Sequence, residues 1–295
     1  MPDDTTGEDR AMSNAEQGLG AENWAGDMGR NWLANLQRFE SMIAPIGAAL
    51  LTHAKFKPGE RVIDIGCGGG GTTIAIGRAV SPGGHATGLD ISPDLIWSCG
   101  ARASQGTQSD VLFVCADAAT ATVTGAPFDR LFSRFGSMFF PDAKAGFRNL
   151  RRMVKDGGRI DLGVWASPQE NPWLQTMMGA VADYVTPPEA PPDPHAPGPF
   201  AFADTAYLTE VLQQAGFGEI AIEPCLRDMP VGGAGATPRE AAEFILTAMH
   251  LAGEVPEEKR EEAIGKVADA LAPHHVPGKG NLMPGKAWLV TAKAI

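Results

Sequence analysis

Residues 61–73 read RVIDIGCGGGGTT, and this stretch decides the fold of the chain. Residues 61–65 form a short apolar run that is typical of a buried parallel strand. A glycine-rich turn follows at residues 66–71, and residues 72–80 have the apolar spacing of a helix. Glycine lets a ligand approach the backbone closely, and the free N–H groups at the start of a helix favour negative charge. Strand, turn and helix together predict a nucleotide-binding site.

The glycine spacing alone does not identify the nucleotide. Gly66-x-Gly68-x-x-Gly71 satisfies the dinucleotide fingerprint. Asp64, however, stands two residues before the first glycine, where dinucleotide enzymes usually carry an apolar residue. This residue distinguishes the turn from the one in dinucleotide enzymes.

Acidic residues also follow the next two predicted strands. The segment GHATGLDISPDLI places a second strand over residues 85–91 and puts Asp90 at its end, where a carboxylate can accept both ribose hydroxyls. The segment VLFVCADAAT is a third strand that leads to Asp117, which can accept a hydrogen bond from an adenine amino group. A fourth strand is predicted over residues 128–140.

In this order, the motifs resemble those of the class I S-adenosylmethionine-dependent methyltransferases. The resemblance covers roughly residues 30–295 and includes a closing helix that ends at Gly216, a strand EIAIEPCL and a last strand over residues 287–295. The chain is similar to the small-molecule branch of that family, of the quinone and sterol type. The segments that carry the resemblance are DIGCGGG at residues 64–70, Gly88-Leu89-Asp90, Ala116-Asp117-Ala118 and LRRMVKDGGRIDLGVW.

The resemblance implies an α/β fold with a Rossmann-like, doubly wound sheet. Seven strands are expected in the order 3-2-1-4-5-7-6, with only the last strand antiparallel. We expect residues 1–22 to be a disordered acidic tail and residues 23–295 to be one methyltransferase domain. Residues 166–204 and 237–280 are predicted to be cap or insertion elements on the substrate side. Seven of the thirteen residues from 187 to 199 are proline, which excludes helix and inner strand there.

The resemblance also implies that the cofactor is S-adenosyl-L-methionine. Asp64 and the glycine turn would hold its methionine end, Asp90 its ribose, and Ile91 one face of the adenine. Asp117 and Ala118 would face the adenine amino edge, and the backbone after the fourth strand would lie beside the transferred methyl group. The full set of predicted cofactor residues is Asp64, Gly66, Cys67, Gly68, Asp90, Ile91, Asp117, Ala118, Ser133 and Arg134.

A small, partly apolar acceptor is expected at the same edge of the sheet, because open α/β sheets bind ligands at the carboxyl ends of their strands. His195 is the only histidine in the predicted cap that could act as a catalytic base, if the acceptor is a hydroxyl or a thiol. Residues 133–140 read SRFGSMFF where many amine and DNA methyltransferases carry Asn/Asp-Pro-Pro-aromatic, which disfavours a nucleobase amino group as acceptor. The residues expected near the acceptor are Trp32, Phe135, Met138, Trp165 and Trp173.

The charge and composition of the chain limit which partners it can have. The chain has 295 residues and a formal net charge of -11, so most of its surface would repel the phosphates of nucleic acids. Uninterrupted apolar runs fall short of the roughly 18 residues that predict a membrane span. The acidic N-terminus does not read as a signal peptide, and we expect a cytoplasmic protein, monomeric or homodimeric. The four cysteines form no C-x-x-C pair, and we predict no metal site.

Three function classes remain open. The first is methyl transfer to a small molecule by direct in-line displacement, which needs alignment more than acid–base groups. The second is a non-catalytic S-adenosylmethionine-binding protein. The third is an NAD(P)-dependent dehydrogenase, disfavoured by Asp64 and by the lack of a Tyr-x-x-x-Lys pair around Tyr184 or Tyr207. The sequence leaves open both the acceptor and whether oxygen, nitrogen, carbon or sulfur is methylated.

Overall fold

The computed structural model describes residues 21–104, 110–185, 193–249 and 255–295. Within them, an eight-stranded sheet runs in the order β3-β2-β1-β4-β5-β8-β6, and the short β7 pairs with β8. The strands are β1 (Arg61–Ile65), β2 (His85–Asp90), β3 (Val111–Cys115), β4 (Phe128–Arg134), β5 (Val154–Trp165), β6 (Phe217–Val231), β7 (His275–Val276) and β8 (Gly280–Ala294). Strands β1 to β5 are parallel, and β8 is antiparallel to both β5 and β6.

Ten helices surround this sheet in the described part of the chain. Helix α4 packs on β1, β2 and β3, α6 packs on β4 and β5, and α3 packs on β5 and β6. None of the described helices has both the length and the apolar character needed to cross a bilayer. The helices are α1 (Ala21–Ala25), α2 (Asp27–Ala34), α3 (Leu36–Ala54), α4 (Gly71–Val80), α5 (Pro93–Ser104), α6 (Ala143–Met153), α7 (Pro172–Val181), α8 (Thr205–Gln214), α9 (Pro238–Phe244) and α10 (Arg260–Leu271).

The predicted strand order is confirmed, with one strand added. His275 and Val276 pair with Asn281 and Gly280 to form β7, which the sequence analysis did not include. Most of the predicted acidic tail, residues 1–20, and residues 186–192 of the proline segment lie outside the described residues. The division into a tail, one domain and two cap segments therefore stays a prediction.

The fourth strand is shorter than predicted, because β4 ends at Arg134 and not at residue 140. Phe135 has a left-handed φ of 63°, and a 3-10 turn follows over Gly136–Phe139. The bend places Gly136 against the glycine turn, where a Cβ on Gly136 would lie 2.6 Å from the Cα of Gly66. Glycine is required on both sides of this contact, since backbone meets backbone.

The last strand is longer than predicted and begins at Gly280 instead of residue 287. Glycine and proline in GNLMPGK make residues 280–286 look like a turn. In the sheet, β5 ends opposite Ala287 and β7 pairs only with Gly280 and Asn281, so residues 282–286 of β8 pair only with β6. Pro284 is tolerated there because one side of this part of the strand needs no ladder hydrogen bonds.

The segments predicted as caps pack on one another at the end of the sheet. Helix α10 contacts both α7 and α9, and α9 continues into a π-helical turn over Ile245–Met249. Helix α9 begins with a capping box in which Thr237 and Glu240 bind each other's backbone N–H groups. Helices α7, α9 and α10 therefore form one group, whereas α8 packs on α6 and β6.

Candidate functional site

The glycine turn is fixed between the ends of β1, β2 and β4. The N–H of Gly66 donates to the Leu89 carbonyl at 2.8 Å, and the N–H of Gly68 donates to Oδ2 of Asp90 at 2.8 Å. Gly66 and Gly68 have φ values of 65° and 54°, which other residues rarely adopt. The turn is thus preformed, and Gly66 and Gly68 are partly exposed.

Asp64 lies below this turn and is fully buried. Its Oδ2 accepts hydrogen bonds from the hydroxyls of Thr72 and Thr73, each at 2.7 Å. Its Oδ1 is buried and has no partner among the residues that the structure describes. Burial raises the pKa of Asp64 to about 6, although the two threonine hydrogen bonds oppose the shift. An unpartnered buried carboxylate oxygen is a ready acceptor for a cationic group of a ligand.

Asp90 ends β2 and holds the loop that follows it. Oδ1 accepts from the N–H of Ser92 at 3.0 Å, while Oδ2 accepts from Gly68. Burial raises the pKa of Asp90, and these backbone hydrogen bonds oppose the shift. Each carboxylate oxygen can accept a second hydrogen bond, so both ribose hydroxyls can still be bound. Ile91 lies beside it and is partly exposed.

The residues after β3 mainly fix their own turn. Oδ1 of Asp117 accepts from the N–H of Ala119 at 2.8 Å, and its Oδ2 accepts from the hydroxyl of Thr120 at 3.3 Å. The carbonyl of Ala118 accepts from Nδ2 of Asn149 at 2.9 Å. These bonds fix the turn that carries Asp117 and Ala118. Contacts of the two residues with adenine remain a prediction. At the end of β4, the hydroxyl of Ser133 donates to the Ile65 carbonyl at 2.9 Å and ties β4 to the glycine turn.

An ion pair that the sequence analysis missed clamps the glycine turn. The Arg102 guanidinium on α5 donates to both oxygens of Glu40 on α3, at 2.9 and 3.0 Å. It also donates to the Gly69 carbonyl at 2.5 Å. These partners lie 62 and 33 residues away from Arg102, so no local pattern in the sequence identifies them.

The N-terminal helices cover the same turn. The Trp32 ring stacks on Phe39 with centroids 4.1 Å apart, and a Cβ on Gly68 would lie 3.7 Å from its Nε1. Trp24 packs edge-on against both Trp32 and Phe139. Trp32, predicted to contact the acceptor, therefore lies against the predicted cofactor turn. Side chains of helices α1 and α2 thus contact both the glycine turn and the segment after β4.

Four predicted acceptor residues lie near the ends of β4 and β5. Phe135 stacks on Trp165 with centroids 4.4 Å apart, and Trp165 packs on Trp173 at 5.8 Å. All three are buried, as is Met138 in the 3-10 turn. The Met138 carbonyl accepts from the N–H of Gly198 at 3.0 Å, which ties the proline segment to this turn.

His195 belongs to a separate group between α6 and α8. Its ring stacks on Tyr207 with centroids 3.8 Å apart, and its Nε2 lies 3.6 Å from Oδ2 of Asp204. The group borders a cavity of about 420 Å³ that Phe140 also lines. Tyr207 and Asp204 were not predicted as site residues. The signal for Asp204 was its place before α8, where its side chain caps the helix.

Comparisons with known proteins match part of the chain to methyltransferases. A family model described as "Methyltransferase domain" matches residues 62–158. The chain is 28% identical over 184 residues to nocamycin O-methyltransferase of Saccharothrix syringae, covering 60% of this chain and 65% of that protein. It is 29% identical over 116 residues to aklanonic acid methyltransferase of Streptomyces sp. (strain C5), covering 39% and 53%. The matches thus span less than two thirds of either relative.

Solved structures show the same fold at low identity. The YcgJ protein of Bacillus subtilis superposes with a TM-score of 0.52 and 17% identity, covering 84% of this chain and 97% of that protein. A structure concerned with the conversion of a disulfide bond into a thioacetal group during echinomycin biosynthesis superposes with a TM-score of 0.53 and 17% identity, covering 85% and 80%. At this identity the likeness concerns the fold alone.

Proposed function

Because the chain belongs to the class I S-adenosylmethionine-dependent methyltransferase family, we propose that it transfers a methyl group from S-adenosylmethionine to an oxygen of a small organic acceptor. The observation that carries the proposal is the single edge where Asp64, the glycine turn and Asp90 meet. Nocamycin O-methyltransferase is named for oxygen methylation, which favours oxygen as the attacking atom. The net charge of -11 argues against a nucleic acid acceptor.

The residues at this edge fit the cofactor. The free Oδ1 of Asp64 suits the ammonium group of the methionine end, and the Asp90 oxygens suit the ribose hydroxyls. The backbone of Gly66 and Gly68 allows the close approach that a side chain would block. When bound, S-adenosylmethionine supplies a methyl carbon that its sulfonium makes electrophilic. The protein's part is to hold the two reactants in line.

Partly exposed and buried aromatic residues support transfer by limiting the access of water. Trp24 and Trp32 close one side of the edge, and Phe135 and Trp165 line the ends of β4 and β5. The positive charge of the sulfonium disperses during methyl transfer, and a site with few waters favours this change. Such a site also leaves the attacking atom of the acceptor without bound solvent. We place the acceptor between these two aromatic groups.

The test is direct. Isothermal titration of the purified protein should show binding of S-adenosylmethionine and S-adenosylhomocysteine in preference to NAD. Incubation with methyl-labelled S-adenosylmethionine and a panel of small hydroxylated aromatic acceptors should give a labelled product by mass spectrometry. Tight binding of NAD without a response to either adenosyl ligand would contradict the family's cofactor here. Cofactor binding without turnover on any acceptor would favour a non-catalytic binding protein.

We further propose that the acceptor extends from these aromatic groups to the cavity at His195, and that His195 is the base that takes its proton. Its Nε2 faces Asp204, which leaves Nδ1 as the nitrogen that can accept a proton. We expect His195→Gln to lower kcat by about a hundredfold, the lower end of the range for general base catalysis, with cofactor affinity changed less than about twofold. Asp204→Asn should lower kcat less, because it only removes the partner of Nε2. Wild-type turnover in His195→Gln would remove this residue from the mechanism.

Cofactor affinity should depend on pH through Asp64. Arg134 and Asp90 are the charged groups that act on it, and its folded pKa of about 6 lies above the ordinary value of 3.8. An ammonium ligand binds the ionised form, so affinity should rise about tenfold from pH 5 to pH 7 and then level off. Without ligand the sign is opposite, since a raised carboxyl pKa favours folding at low pH and that stability is lost as the pH rises through 6. Asp64→Asn should abolish the rise in affinity, whereas an unchanged profile would exclude Asp64.

A further inference from the structure

Arg134 reaches from the end of β4 across to helix α3. A Cβ on Gly47 would lie 2.9 Å from Cδ and 3.0 Å from Nη1 of Arg134, so the side chain lies directly on the helix. Asp64 is the register partner of Phe132, and alternate residues of a strand point to the same face. Arg134 and Asp64 therefore share one face of the sheet, next to the glycine turn.

The neighbouring carboxylates leave this guanidinium unpaired. Both oxygens of Glu40 already accept from Arg102. Oδ2 of Asp64 accepts from two threonines, and its Oδ1 has no partner. Within the described ranges, Arg134 donates no hydrogen bond, although it is only partly exposed. Burial lowers the pKa of Arg134, while the charges of Asp64 and Glu40 act against that shift.

A guanidinium without a hydrogen-bond partner and a buried carboxylate oxygen without one thus lie beside the turn within the described ranges. Burying a polar atom is costly unless a partner is present, and the protein itself supplies none for Oδ1 of Asp64. A ligand with one negative and one positive group would satisfy both. An α-amino acid end has this arrangement, because its carboxylate and ammonium lie on one carbon.

We infer that the Arg134 side chain binds the carboxylate of the cofactor's methionine end, opposite the ammonium group at Asp64. The inference rests on the proposed function, and it gives Arg134 a role in specificity beyond the backbone position expected from sequence. A guanidinium can bind a carboxylate with two parallel hydrogen bonds, which an analogue without that group cannot form. The site thereby selects S-adenosylmethionine over its decarboxylated form.

The experiment compares two ligands that differ only in this carboxylate. Binding of S-adenosylmethionine and of decarboxylated S-adenosylmethionine is titrated calorimetrically to the wild type, Arg134→Met and Arg134→Lys. Wild type should bind S-adenosylmethionine about 10- to 100-fold more tightly, the range for hydrogen bonds between charged groups. Arg134→Met should lose this preference while keeping its affinity for the decarboxylated ligand within about twofold. The preference of Arg134→Lys should lie between those of the wild type and Arg134→Met, because lysine keeps the positive charge but cannot form two parallel hydrogen bonds.

Controls separate the possible failures. Arg239→Met removes an arginine whose pairs are exposed and should change neither affinity. Far-ultraviolet circular dichroism checks that each variant is folded, and the wild-type preference tests the inference even if Arg134→Met does not fold. Equal losses for both ligands, or no wild-type preference, would overturn the role of Arg134 while leaving the proposed function standing. A wild type that binds neither ligand would overturn both.

Discussion

Gly136→Ala should lower the free energy of unfolding by about 3–5 kcal/mol, because the added methyl group would overlap backbone atoms. The added Cβ would lie 2.6 Å from the Cα of Gly66 and 2.6 Å from the Ile65 carbonyl oxygen. Both are backbone atoms of the strand and turn predicted to hold the cofactor, so neither can move aside without breaking the turn. Urea denaturation of the ligand-free protein measures the change.

Gly100→Ala is the matched control for this prediction. Gly100 lies in the middle of α5, and a Cβ there would meet no atom within 4 Å. Alanine favours helix over glycine, so stability should be unchanged or rise by about 0.5–1 kcal/mol. If the two variants lost similar stability, the close approach of Gly136 to the turn would not be the cause.

Asp90→Ala should weaken cofactor binding by about 3–4 kcal/mol, or roughly 150- to 1000-fold. The substitution removes the proposed acceptor for the ribose hydroxyls. It also leaves the N–H groups of Gly68 and Ser92, now bound at 2.8 and 3.0 Å, without their partner. The turn would thus lose its anchor together with its ligand contact. Titration with S-adenosylhomocysteine measures the loss.

Asp94→Ala provides the comparison, since Asp94 lies four residues further on in the first turn of α5. Its removal should change affinity by less than about twofold. A folded Asp90→Ala protein with wild-type affinity would show that Asp90 only caps the loop. An intermediate loss in Asp90→Asn would be consistent with the role proposed here, because one oxygen acceptor is kept.

The sequence was sufficient wherever short-range patterns determine structure. The glycine turn, Asp64, Asp90 and the order of the main strands follow from motifs a few residues long, each with its own local signal. The capping box of α9 is a feature of the same kind, because Thr237 and Glu240 are only three residues apart. These features place the predicted cofactor site in the fold before any tertiary contact is known.

Features that depend on distant partners could not be predicted in this way. Apolar residues continue past Arg134, so the sequence indicated a longer strand; the chain bends there only because Gly136 packs on Gly66. Likewise, Pro284 indicated a turn, because the sequence does not show that β8 lacks a second neighbour at that point. The pairing of Arg102 with Glu40 across 62 residues has no sequence signal at all.

The pairing of β6 with β8 affects which part of the chain can be replaced without disturbing the sheet. Val231, the last residue of β6, is the register partner of Asn281 near the start of β8. The segment between them therefore departs from and returns to one point of the sheet, as a hairpin loop does, even though its described part contains α9, α10 and the short strand β7. The cost of closing a loop grows only slowly with its length. Evolution, or an engineer, can exchange this segment as a unit and leave the cofactor-binding strands in register.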